Sequence, residues 1–329
     1  MKATATAHPN IALVKYWGKR DEALILPHQS SLSLTLSPIH VKTTVEWVAG
    51  RPDDAIEING RVAQGSARDR VVQLLDAVRR ESGLQRSARM VSRGDFPEAA
   101  GLASSAAAFA ALAVAARHAA GLVSDVRRAS ILARTGSGSA CRSVQGGICT
   151  WQRGEKADGS DSFAVQVHPA SYWPQLRMIV AVVSREEKDV KSRDGMRGTD
   201  ETSPYYAAWV QDAEAEIARA KRALAEKDLR ALGELCERNA WRMHATALAA
   251  DPPLCYLLPG TLAVIQAARA AREKGLPVWF TLDAGPNPVL LTEAEHAEAV
   301  EALAREAGAM DVVSCSPGPD ATLTDAHLF

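Results

Sequence analysis

The run "KYWGKRD", Lys15 to Asp21, puts four charged side chains, two aromatic rings and a glycine directly after the apolar "NIALV", Asn10 to Val14. A buried strand that ends in cations packed between rings can offer positive charge to an anion; the plainer reading is a strand end whose lysines run their stems along the surface. In "FPEAAGLASSAAAFAALAVAA", Phe96 to Ala116, a proline-closed strand passes through a small-residue loop into a helix opening at Ser104 and Ser105. Free N–H groups and partial positive charge at a helix start suit phosphate, and Gly101 lets it approach the backbone. The two hydroxyls can reach a phosphate oxygen or its Mg²⁺, although a serine-capped buried helix looks the same. The Walker pattern GxxxxGK[ST] is absent.

Three further stretches carry chemistry. In "RTGSGSACRSVQGG", Arg134 to Gly147, the side chains of Ser137, Ser139 and Arg142 can converge on one anion. Arginine suits a carboxylate because its planar fork binds bidentately; a Gly/Ser turn with a surface arginine is the alternative. "FTLDAGPN", Phe280 to Asn287, delivers Asp283 at a strand tip before Gly285-Pro286. That position serves a base, or a group orienting a hydroxyl, or an Asx turn that closes the strand. "KDVKSRDGMRGTDETSP", Lys188 to Pro204, reads as a polar, basic loop containing Ser192, Arg193 and Arg197. Such a loop can grip a phosphorylated tail or lie in solvent.

The elements around these stretches fix the class. "HVKTTVEWV" alternates as a half-buried strand, "AIEING" is a strand running into a turn, and "SARDRVVQLLDAVRRESG" is an amphipathic helix with Ser66 as N-cap and Gly83 beyond its end. "ARMVSRGDFP" and "GGICTW" supply strands, and "WPQLRMIVAVVS" starts another after a polar stretch, which places a boundary near residue 172. Beyond it come long helices in "SPYYAAWVQDAEAEIARAKRALAEK" and "GTLAVIQAARAAREKG" and strands in "VWFTLDAG" and "AMDVVSCS". Strands and helices mix without regular βαβ alternation, so an α+β protein of two domains, 1–172 and 173–329, is expected. The uncharged run Ala99 to Ala116 is built of Ala, Ser and Gly, which favours an internal packed helix over a membrane span.

With 38 Lys+Arg against 39 Asp+Glu the formal charge is -1, so no global basic field points to nucleic acid or an anionic membrane, and anion recognition has to be local. The five cysteines are odd in number and lack CxxC spacing, which fits a reducing cytoplasm rather than a disulfide or zinc framework. The N-terminal "MKATATAHPN" has no apolar core of a secretory signal.

Together and in this order, "NIALVKYWGKRDEALILPHQSSLSLTL", "FPEAAGLASSAAAFAAL", "GSGSACRS", "SRDGM" and "FTLDAGPN" resemble the diphosphomevalonate decarboxylase family of the GHMP kinase superfamily, over most of the chain. The resemblance implies an N-terminal domain like ribosomal protein S5 domain 2, a ferredoxin-like C-terminal domain, and a cleft between them for ATP and mevalonate 5-diphosphate. It implies a catalytic set of Asp283, Lys15 and Arg142. Substrate contacts would come from Tyr16, Trp17, Gly18, Lys19, Arg70, the run Ser137, Gly138, Ser139, Ala140, Cys141, and Ser192 with Arg193. Gly101, Leu102, Ala103, Ser104 and Ser105 would hold the ATP phosphates, with Mg²⁺ at Ser105, and the enzyme would be a homodimer. The sequence departs from the family pattern at "AHPN", at "LPHQSS" (Leu26 to Ser31) and at Arg193. A relative that phosphorylates without decarboxylating, or a ligand sensor without activity, is the competing expectation; the joint presence of Lys15, Arg142 and Asp283 with the polar diphosphate loop argues against the first, and the intact serine loop with Asp283 against the second.

Overall fold

A computed structural model describes residues 1–50, 52–95 and 104–329. The alternating "VKTTVEWV" forms the strand Val41–Val48, which buries Val45 and Trp47 and turns Lys42 and Glu46 outward. It lies inside a six-stranded sheet ordered Thr322–Thr324, Lys2–Ala7, Val41–Val48, Ser87–Gly94, Ala55–Ile58, Arg61–Val62. All neighbours are antiparallel except Ala55–Ile58, which runs parallel to Ser87–Gly94.

Helices α1 (Gly65–Ser82), α2 (Ser104–Ala119) and α3 (Val126–Gly136) cover one face of this sheet. Gln64, rather than Ser66, precedes α1, while Gly83 ends it in the left-handed conformation at φ 72°. The alanine run of α2 is buried against Ala3, Ala5 and Ala7 of the first strand, small against small, so helix and sheet approach closely. Among the described residues, no helix is long and apolar enough to cross a membrane.

The second half follows strand Leu176–Val182 with four helices, α4 (Ser192–Thr202), α5 (Tyr206–Glu226), α6 (Leu229–Leu248) and α7 (Pro259–Glu273). Then come strands Trp279–Thr281 and Val289–Glu293, helix α8 (Ala297–Glu306) and strand Asp311–Pro317. These four strands lie in the spatial order fourth, first, third, second, all antiparallel, which is the split βαβ arrangement of a ferredoxin-like unit. The sheet does not stop there. Ser316 and Pro317 pair with Ser37 and Leu36, so it continues through Ser31–Ser37 to Ile148–Trp151 and Ala164–His168, with Asn10–Val14 also on Ser31–Ser37. One core accordingly joins Leu13, Leu32 and Leu34 to Met178, Val180 and Leu232.

Two readings of the sequence change. Most of the polar segment after Lys188 is not a loop: it forms α4, in which Gly195 packs against Trp17 and Tyr256 and Thr199, one turn on, is buried. A Cβ on Gly195 would lie 2.3 Å from the Tyr256 hydroxyl, so glycine is what lets the helix seat. And α6, which the sequence reading passes over, proves to be a buried central helix.

Candidate active site

The strand Asn10–Val14 ends by delivering Lys15 into the interior, where only 1 % of its side chain is exposed. Its Nζ donates to Ala12 O at 2.7 Å and to Asp283 Oδ1 at 2.6 Å. Asp283 arrives from the other half, two residues past Trp279–Thr281, and stays a third exposed (33 %). The two residues are 268 positions apart in the chain and form one ion pair, a buried ammonium against a carboxylate that reaches solvent. Lys188 closes the other side: its Nζ donates to Ser192 Oγ at 2.6 Å and to the carbonyl of Ala284. Burial holds the Lys188 ammonium below its ordinary range, and Asp283 opposes that shift.

Arg142 lies on the 3-10 turn Gly138–Ser143 and is almost wholly buried. Its Nε donates to Ser33 Oγ at 2.9 Å, its NH2 to Asn10 Oδ1 at 3.1 Å and its NH1 to Ser31 Oγ. Asn10 in turn donates to Ser139 O at 3.0 Å and Ser143 Oγ at 2.7 Å. The guanidinium is thus locked in orientation with three of its five N–H groups engaged, and two remain for an anion. Burial lowers its pKa, with Asp283 among the groups that restore the charge.

A cavity of about 310 Å³ opens on the opposite side of this turn, lined among others by Arg70, Ser104, Ser105, Phe109, Asn59 and Glu187. Ser105 Oγ lies 3.3 Å from Ser137 Oγ, so the opening of α2 and the end of α3 meet there. Burial and the charge of Arg193 both lower the pKa of Arg70. Two guanidinium groups that repel each other across a gap mark a place for an anion. A second, surface depression near Asp53, Asp54, Arg79 and Arg86 is lined by none of these groups.

Tyr16 packs against Trp151 with ring centroids 4.6 Å apart and ring planes tilted by 58°, and burial pushes its phenol up. Gly138 makes that contact possible, since a Cβ there would lie 2.8 Å from Tyr16 Cε1. Trp17 is buried in the aromatic cluster with Tyr206, whose hydroxyl donates to Trp17 O at 3.1 Å. Gly18, at φ +93°, passes so close to Tyr206 that a Cβ would lie 1.6 Å from its oxygen. Lys19 is paired with Glu22, and Arg20 bonds the carbonyls of Arg153 and Gly154 at the rim.

Of the residues singled out in the sequence, Lys15, Asp283, Arg142, Ser105, Ser137, Arg70, Ser192 and Arg193 converge from both halves. Ala140 and Cys141 do not offer side chains: both are fully buried in packing clusters, and burial raises the Cys141 thiol to about 12. Gly101, Leu102 and Ala103 lie outside the described residues. The sequence reading missed Lys188 and Asn10. Lys188 lies in the non-helical stretch just ahead of α4, and Asn10 opens the strand Asn10–Val14 with its partner Arg142 132 positions away, so no local pattern marks either of them.

Residues 7–164 match the diphosphomevalonate decarboxylase-like N-terminal domain, and residues 178–314 the mevalonate 5-diphosphate decarboxylase C-terminal domain. The diphosphomevalonate decarboxylase of Homo sapiens is 41 % identical over 307 residues, covering 88 % of this chain and 76 % of the human one. The crystal structure of mevalonate diphosphate decarboxylase from Staphylococcus aureus superposes with a TM-score of 0.93 at 36 % identity, covering 98 % of both chains. A relative solved in complex with MVAPP, AMPPCP and magnesium gives a TM-score of 0.93 at 41 % identity, over 98 % of this chain and 99 % of that one. Fold and matches define a two-domain α+β enzyme of the decarboxylase class, with charged groups of both halves gathered at Lys15 and Asp283. The chain belongs to the diphosphomevalonate decarboxylase family.

Proposed function

We propose that the enzyme phosphorylates the 3-hydroxyl of (R)-5-diphosphomevalonate with ATP and then expels phosphate and CO₂, yielding isopentenyl diphosphate and ADP. The observation that carries this reading is the Asp283 carboxylate, paired with the buried Lys15 and flanked by Lys188. A hydroxyl placed on Asp283 has an acceptor for its proton, and two ammonium groups face the incoming phosphoryl. The transition state of phosphoryl transfer is loose, so fixed charge and alignment supply most of the acceleration.

Departure of the 3-phosphate leaves positive character at C3. The C1–C2 electrons then form the alkene as CO₂ leaves, and Asp283 stabilises the charge that develops. In this reading Arg142 holds the C1 carboxylate with its two remaining N–H groups, beside Ser139 and Ser137, and Tyr16 and Lys19 touch the substrate. Ser192, Arg193 and Arg70 take the diphosphate, and Lys188 joins Ser192 there or reaches the transferring phosphate.

The cavity at Ser104 and Ser105 takes the nucleotide, with apolar walls for a base and hydroxyls for phosphates. Its lining fits Mg²⁺: among the described residues there is no cluster of three His, Cys, Asp or Glu side chains, so the ion would rest on phosphate oxygens and water with the Ser105 hydroxyl and the single carboxylate of Glu187 as protein donors. Bound there, it would supply neutralisation of phosphate charge. A homodimer and a division of the chain into 1–172 and 173–329 belong to the same reading, testable by sedimentation and by limited proteolysis. The function itself is tested by CO₂ release coupled one-to-one to ADP formation from ATP and mevalonate 5-diphosphate. ADP without CO₂ would mean a kinase, and ligand binding without either product would mean a sensor.

A further inference from the structure

The backbone of Lys15 is held by a chain of buried polar groups that reaches to the far side of the second half. Lys15 N donates to Asn239 Oδ1 at 2.7 Å, although the residues are 224 positions apart. Asn239 sits on α6 and is 1 % exposed; its Nδ2 donates to Glu216 Oε2 on α5. Glu216 is also 1 % exposed, and three arginines face its other oxygen: Arg242 at 3.0 Å, Arg238 at 3.2 Å and Arg219 at 3.7 Å. The bonds run in one direction, from the three arginines that share Glu216 Oε1 through the carboxylate and the amide to the backbone of Lys15. The arginines fix the carboxylate, the carboxylate fixes which way the Asn239 amide faces, and the amide oxygen fixes the N–H of the residue whose Nζ meets Asp283.

We propose that Asn239, oriented by Glu216, is a positioning residue for the reaction: it sets where Lys15 leaves the strand and so places the ammonium on Asp283. This rests on the proposed roles of Lys15 and Asp283. A buried amide and a buried carboxylate are costly unless paired, and apolar residues of the same shape would pack there without that cost. The arrangement makes sense as a device for direction. The strand Asn10–Val14 ends at Lys15, so from there no ladder bond defines the backbone, and Asn239 supplies the missing acceptor. Misplacement of a reacting group by about 1 Å costs on the order of 100-fold in rate.

The test compares Asn239→Leu, Asn239→Asp, Lys15→Met and the double variant Lys15→Met/Asn239→Leu in single-turnover assays, with rates normalised to substrate-binding stoichiometry by calorimetry. Asn239→Leu should slow turnover about 10- to 100-fold with ligand affinities unchanged. Asn239→Asp, whose carbonyl still accepts from Lys15 and whose protonated oxygen can donate to Glu216, should stay within about fivefold of wild type. In the Lys15→Met background, Asn239→Leu should cost nothing further, because its effect passes through the ammonium. Losses that multiply in the double variant, an Asn239→Asp as slow as Asn239→Leu, or a folded Asn239→Leu at wild-type rate would each overturn the proposal. If Asn239→Leu does not fold, Asn239→Ala takes its place in the same comparison, alone and with Lys15→Met. Wild-type turnover by Lys15→Met would refute the catalytic reading of Lys15, a separate failure from that of Asn239.

Discussion

Asp283→Asn keeps the shape of the side chain and removes its charge. Lys15 Nζ lies 2.6 Å from Oδ1 and also donates to Ala12 O, so the asparagine oxygen accepts the same bond and the ammonium stays in place. Removing one partner of a fully buried pair costs about 3–5 kcal/mol. Asp283 is 33 % exposed, so water takes up part of the loss and about 1–2 kcal/mol of stability is expected to go. For a chain of this length that is a fall of a few degrees in Tm. Both ligands are anionic and the site gains a positive charge, so ATP and mevalonate 5-diphosphate should bind as well as before or better. The rate should suffer far more. Loss of the acceptor for the hydroxyl proton alone removes about 10²–10⁴-fold, or about 2.7–5.5 kcal/mol of barrier. Loss of the charge that faces C3 pushes the total toward the upper end or beyond. Calorimetry for binding, paired with rapid-quench measurement of ADP and CO₂ in one turnover, checks this. ADP formed without CO₂ would confine Asp283 to the elimination, and loss of both places it at phosphoryl transfer. If the variant binds both ligands and turns over within a fewfold of wild type, the carboxylate is structural and the mechanism is wrong.

Arg142→Lys exchanges a fork that meets Asn10, Ser31 and Ser33 for one ammonium. At roughly 1.5–3 kcal/mol for a charged hydrogen bond, kcat/KM should fall about 10- to 100-fold or more, and wild-type kinetics would remove Arg142 from the site. Ser105→Ala should raise the KM for ATP several-fold and leave that for mevalonate 5-diphosphate unchanged; the reverse pattern would contradict the nucleotide assignment. Gly18→Ala forces a Cβ into Tyr206 at φ +93° and should cost at least about 2 kcal/mol in urea unfolding. His244, buried on α6, has a pKa lowered to about 4 by burial and by Lys15, below the ordinary 6.5. Between these values the unfolded chain binds the proton that the folded chain refuses, so stability should rise with pH from about 4 to 6.5 and level off above. Urea midpoints across that window should show a shallower slope in His244→Gln, and equal slopes would refute the shift.

Local chemistry made much of this protein legible from sequence. Alternation gave Val41–Val48, a glycine marked the end of α1, and the strand–Asp–Gly-Pro order put Asp283 at a tip, because each depends on backbone preferences within a few residues. The proposed catalytic set of Lys15, Arg142 and Asp283 rests on motif order and family resemblance, which carry chemistry without geometry. What only the tertiary structure decided lies where distant segments meet. A polar stretch became α4 with Gly195 seated against Trp17 and Tyr256, and no local pattern encodes that partner. The sequence left Arg142 open between an anion-binding group and a surface arginine on a Gly/Ser turn; the structure buries it and clamps it by Asn10, Ser31 and Ser33, three residues more than 100 positions away. Lys188 and Asn239 matter through an Ala284 carbonyl and a Lys15 amide, and a contact to another segment's backbone leaves no trace in side-chain pattern. The sequence set which groups are present and which local elements form; their pairing followed from folding the second half's last strands back onto the first half's sheets, which brings Lys15 and Asp283 to 2.6 Å.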